Sequence, residues 1–120
     1  MQIGDIVYYT ELCLPSADNW VVSEPYIKSA EYKVLGISEY CICLDTPFFT
    51  TLSLKGLHTK ACLDIPRVEI GDSMFDGGLV YTAYSSSPPN IEEVKAYIVE
   101  YLKSKASIYE PISVALNAFI

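Results

Sequence analysis

Few residues in this chain have the type and spacing to do chemistry. Cys41-Ile42-Cys43 sets two thiols two residues apart, and His58-Thr59-Lys60-Ala61-Cys62 adds the single histidine and another cysteine. Three cysteines and one histidine make a ligand set for structural zinc, which takes four soft or borderline donors in a tetrahedron. On a strand Cys41 and Cys43 point to the same face. If residues 58–62 form one helical turn, His58 and Cys62 share a face as well. The spacing lacks a C-x-x-C knuckle, however, and Cys13 is an equally available thiol. Free cysteines are commonly small buried hydrophobes. The expectation is therefore no cofactor, with zinc on Cys41, Cys43, His58 and Cys62 as the alternative. His58 beside Cys62 also offers an imidazole to activate a thiol. That chemistry needs an electropositive pocket, and nothing in this acidic sequence supplies one, so a non-enzymatic protein is expected.

Carboxylates are the more abundant resource. The chain carries 15 Asp and Glu against 8 Lys and Arg, for a formal charge of -7. Asp5, Glu11, Asp18, Glu24, Glu31, Glu39 and Asp45 face only Lys28 and Lys33 over residues 1–54, a local charge of -5. Such a balance disfavours direct contact with nucleic acid or anionic lipid, both of which need a positive field. It suits a basic protein surface. Spaced carboxylates on a rigid β-scaffold imitate nucleic-acid phosphates, and Glu24, Glu31, Glu39 and Asp45 are the candidate partner-binding set. The plain alternative is a solvated acidic surface. The 10 tyrosines suit strands, and they suit interfaces too, where the ring buries area while the hydroxyl stays wet.

The elements that must position these groups read as mainly β. Ile3-Gly4-Asp5 is a turn running into a first strand, placed within residues 2–10, and Glu11 to Asn19 reads as a loop. Trp20-Val21-Val22 is a short strand candidate. Tyr26 to Ile37 is a longer one, with Tyr32, Val34 and Gly36 on one face and Lys33, Leu35 and Ile37 on the other. Gly36 suggests a bulge. Tyr40 to Leu44 reads as a strand buried on both faces, forming a hairpin with its predecessor. Phe48 to Leu54 is a further candidate, and Pro66 places Ala61 to Ile70 at an edge. Asp76-Gly77-Gly78 is a turn that leads into a strand at Leu79–Tyr84. It is not a phosphate loop, because no helix follows.

A helix follows over Asn90–Lys105, capped either by Ser87 with Pro88 at its first position or by Asn90. Ile91, Val94, Ile98, Tyr101 and Leu102 form its apolar stripe. Pro111 permits a short terminal helix over 111–120 whose apolar residues dock on the domain or on a second copy, giving a route to a homo-oligomer.

At 120 residues the chain is expected to be a single domain, 1–120, with a core that needs no disulfides. It has no apolar run long enough for a membrane span and no basic-then-apolar leader. A cytoplasmic protein with reduced thiols follows as the expectation. The fold class expected is α+β: a small bent antiparallel sheet or SH3-like partly open barrel with a C-terminal helix.

Ile3-Gly4-Asp5-Ile6-Val7-Tyr8, Tyr32-Lys33-Val34-Leu35-Gly36-Ile37 and the Leu79–Tyr84 strand feeding the Asn90–Lys105 helix together resemble small SH3-like β-barrel orphan proteins of phages and mobile elements. The resemblance implies a protein-binding module. Because small acidic phage proteins include inhibitors of host defence such as anti-CRISPR proteins, it extends to an inhibitor of a nucleic-acid-handling protein such as a CRISPR effector. A zinc-stabilised domain and a homo-oligomeric structural protein are the alternatives.

Overall fold

The computed structural model describes residues 1–14, 26–48, 50–54, 61–70 and 79–103. Within them run strands β1 (Ile6–Leu14), β2 (Tyr26–Ile37), β3 (Cys41–Leu44), β4 (Thr51–Ser53), β5 (Arg67–Ile70) and β6 (Leu79–Ser85), then helix α1 (Ile91–Lys103). The strands form one antiparallel sheet in the order β4-β3-β2-β1-β6-β5. This is the α+β class expected. The chain divides into two compact units, one built from Met1–Thr10, Ser29–Arg67 and Thr82–Pro88, the other from Glu11–Lys28, Val68–Tyr81 and Pro89–Ile120.

The first unit is a small barrel. Gly4, at φ 94°, turns the chain so that its N–H donates to the Val34 carbonyl at 2.9 Å. That left-handed conformation suits glycine, which has no Cβ to clash. Asp5 closes the same turn, its carboxylate accepting the Gln2 N–H at 2.8 Å. The β2–β3 hairpin pairs Val34 with Leu44, Gly36 with Cys43 and Ile37 with Ile42, so one extra residue is inserted between Val34 and Gly36. The expected bulge is therefore present. It also moves Gly36 away from the face of Val34, because Gly36 opposes Cys43 while Val34 opposes the buried Leu44.

Beyond β4 the segment Ala61–Asp64 ties β4 to β6 by isolated bridges, leaving the barrel partly open. The Ser53 N–H donates to the Ala61 carbonyl at 3.2 Å, the Leu63 N–H to the Ser53 carbonyl at 3.1 Å, and the Asp64 N–H to the Tyr84 carbonyl at 2.7 Å. This segment thereby bridges β4 to β6. Asp64 sits at φ 60°, a conformation that Asp tolerates better than most residues. Its carboxylate accepts the Ser86 N–H at 2.8 Å and the Ser86 hydroxyl at 2.9 Å, pinning the closure.

Val7, Val34, Ile42, Leu44 and Leu52 fill this barrel, with Tyr32, Ala61, Leu63 and Tyr84 packed against them. Tyr9 lies between Tyr84 and Tyr32, its ring centroid 4.8 Å from the first and 6.4 Å from the second, both tilted. Tilted and offset arrangements are the ones favoured by the ring quadrupoles.

In the second unit, Leu12 and Leu14 of β1 and Leu79 and Tyr81 of β6 are buried, as are Val94, Ile98 and Leu102 along one face of α1. That i, i+4, i+8 spacing is the stripe expected of a docked helix. Tyr97 meets Tyr81 edge-on, with centroids 5.9 Å apart. Asn90 is the cap: its Oδ1 accepts the Glu92 N–H at 2.8 Å and its carbonyl accepts the Val94 N–H at 3.0 Å. Asn90→Ala is expected to lower stability by about 1 kcal/mol, read as an earlier urea midpoint at unchanged slope.

Several boundaries differ from expectation for physical reasons. β1 continues to Leu14 where a loop was expected from Glu11, because Leu12 and Leu14 are buried at alternate positions and hold the segment extended. β3 is buried on one face only: Ile42 and Leu44 are inside while Cys41 and Cys43 are half-buried. β4 is three residues long, and Phe48 is 92% exposed in the turn before it. The expected strand at Trp20–Val22, the turn at Asp76–Gly78, the end of the helix at 104–105 and the terminal helix over 111–120 lie outside the described residues.

Candidate functional site on the outer face of the β2–β3 hairpin

The hairpin turn is organised by one hydroxyl. Ser38 Oγ accepts the Cys41 N–H at 3.1 Å and the Tyr40 N–H at 3.4 Å, and the Ser38 N–H donates to the Cys41 carbonyl at 2.8 Å. A serine side chain that bonds the backbone two and three residues on stabilises a tight reversal. The turn displays Glu39 and Tyr40, both exposed.

At the other end of the hairpin the Asp45 N–H donates to the Lys33 carbonyl at 2.9 Å, one rung beyond the Val34–Leu44 pair. Asp45, Lys33 and Glu31 are all exposed, and alternation along β2 puts Glu31 and Lys33 on one face. Glu31 is then a diagonal neighbour of Asp45, at roughly 7–8 Å between Cα atoms. Of the four expected partner-binding acids, the structure thus brings Glu31 and Asp45 together around Lys33. Glu39 stands at the opposite end of the hairpin, roughly 15–20 Å away at strand rise. Glu24 lies outside the described residues.

Three apolar side chains of the hairpin and its β4 neighbour are exposed, and alternation puts only Leu35 outside, since Tyr40 and Leu54 continue the Ile42 and Leu52 side at the turn end of the sheet. Leu35 in the bulge is 43% exposed, Tyr40 58% and Leu54 37%. Leu54 is held beside Tyr40 by its N–H, which donates to the Tyr40 carbonyl at 2.8 Å. Of these three, only Leu35 had a sequence signal: it sits next to the buried Val34 in a strand with one buried face, so it must point outward. Nothing in the sequence sets Leu54 beside Tyr40, because the β3–β4 pairing does that.

The cysteines fall on the same hairpin. Cys41 and Cys43 share the outer face of β3, as expected, opposite the buried Ile42 and Leu44. Cys41 pairs with Ser53 of β4, and Ser53 in turn bridges to Cys62. Cys62 therefore lies two rungs from Cys41, roughly 10 Å across the sheet at ordinary strand spacing. His58 lies outside the described residues. Among the described residues no three of His, Cys, Asp and Glu converge in a way that fits a metal ion.

The remaining thiol belongs to the second unit. Cys13 and Glu11 share a face of β1, and the Tyr26 hydroxyl donates to Glu11 Oε2 at 2.8 Å. Burial, then the Glu11 charge, pushes the Cys13 thiol up, so it is a protonated and unreactive group near neutrality. Tyr26 is pushed up to about 12, chiefly by the hydrogen bond its proton makes to Glu11. Raising a phenol above its unfolded value of about 10 leaves the stabilisation intact below pH 10 and removes it as pH climbs to 12. Tyr26→Phe is therefore expected to narrow the fall in stability between pH 10 and 12, read by urea denaturation across that range.

These features define a small SH3-like barrel, partly open and accompanied by a C-terminal helix, with a mixed acidic and apolar hairpin face. No family model, curated protein or solved structure matches the chain. Among the described residues no helix is long and apolar enough to cross a membrane.

Proposed function

We propose that this chain is a non-enzymatic acidic protein-binding module that docks the outer face of its β2–β3 hairpin on a basic protein surface. The observation that carries this reading is the exposed group of Glu31 and Asp45 around Lys33, with Leu35 exposed in the bulge of the same strand. An exposed apolar side chain beside charged ones is common at the edge of a protein interface. The hairpin is held by its bulge and its Ser38-bonded turn, so little ordering entropy is lost on docking. The finer reading, a phage-encoded inhibitor of a nucleic-acid-handling defence protein such as a CRISPR effector, rests on the family resemblance and the acidity together.

The test is paired affinity capture from host lysate with the wild type and with Leu35→Ala/Glu31→Ala. One basic partner retained by the wild type and lost from the double variant supports the reading. A partner captured equally by both removes this face from it.

A further inference from the structure

The two outward thiols of β3 have a geometry that the docking reading does not use. We propose that Cys41 and Cys43 form a dithiolate clamp for a thiophilic two-coordinate cation of the Cu(I) class. Both thiols are free and half-buried, and both lie on one face of one strand. Their Cα atoms are about 6.6–6.8 Å apart at strand rise. Two thiolates on a single ion stand roughly 4.6 Å apart, twice a metal–sulfur bond of about 2.3 Å, and χ1 rotation of the two side chains toward each other closes that difference.

The approach to Cys43 is open. The residue opposite is Gly36, and a Cβ placed there would meet only the Cys43 Cβ, at 3.9 Å. Ser38 Oγ lies 3.1 Å from Cys41 Sγ, placed to donate to that sulfur once it is a thiolate.

The ion class follows from the chemistry of the two donors. Cys62 is two rungs away across the sheet, and no third donor joins the pair among the described residues. Soft sulfur donors are the ones that select Cu(I). Binding is a ligand exchange without electron transfer. Two S–H bonds break, two Cu–S bonds form, two protons leave to solvent, and the product is a bis-thiolate with one net negative charge.

The experiment titrates the full reduced chain with Cu(I) presented as its bathocuproine disulfonate complex. One Cu(I) per chain is expected to leave the chelator, with Cys41 and Cys43 together protected from alkylation in the mass spectrum of the wild type. Cys41→Ser and Cys43→Ser are each expected to weaken binding by about 100-fold or more, and Cys13→Ser is expected to leave it unchanged. Failure of the wild type to withdraw copper, or protection falling on Cys13 or Cys62 instead, overturns the clamp. The titration uses the chain alone, with no partner present, so its outcome is independent of the docking reading.

Discussion

Leu44→Ala is expected to lower the stability of the protein by about 2–5 kcal/mol. Leu44 is fully buried in the barrel cluster with Val7, Val34, Ile42 and Leu52, directly opposite Val34 across the hairpin. Its truncation removes methyl groups from a cluster drawn from four strands, so no single segment is able to move in and refill the space. A domain of this size holds about 5–15 kcal/mol in total, and the substitution therefore consumes a large share of the margin. Urea denaturation followed by circular dichroism reads the loss. Leu35→Ala, one residue from Val34 but on the outer side, is expected to change stability by less than about 0.5 kcal/mol. Equal effects of the two substitutions contradict the assignment of inner and outer faces.

The second large effect falls on binding. Glu31→Lys together with Asp45→Lys is expected to weaken the captured partner's affinity by about 10- to 100-fold at low salt, most of it as a slower association rate. The two acids flank Lys33 on one exposed face. The double reversal turns this end of the hairpin from net negative to uniformly positive. Both positions are exposed, so the fold is expected to survive, and the urea midpoint checks that it does. Surface plasmon resonance with the purified partner separates the two rate constants. Glu39→Lys, at the far end of the hairpin, is expected to have the smaller effect because it stands roughly 15–20 Å from the Glu31 and Asp45 pair.

Much of the barrel was legible in the sequence because its signals are local. Tyr26–Ile37 has a period-two burial pattern over its inner half, Gly36 marks the bulge, and Asn90 followed by Val94, Ile98 and Leu102 marks a capped amphipathic helix. The closure was not legible. Residues 61–64 bridge β4 to β6 through single rungs at Ser53 and Tyr84, and isolated rungs leave no periodic trace. The length of β1 was hidden for another reason: Pro15, Ser16, Asp18 and Asn19 are turn residues, and their signal outweighed the alternation of Glu11 and Cys13 with Leu12 and Leu14. At the candidate site the acids were visible by composition, but their grouping was not. Glu31 and Asp45 come together only through the register that sets Asp45 against Lys33.

The most direct test of the account is the dissociation constant of the captured partner measured against ionic strength. Docking of an acidic face on a basic surface predicts a steep loss of affinity between low and physiological salt, as the screening length falls to about 8 Å. It also predicts that this slope flattens in the Glu31→Lys/Asp45→Lys protein. An affinity that does not change with salt, or a slope that persists unaltered in that variant, contradicts the claim that these carboxylates select the partner.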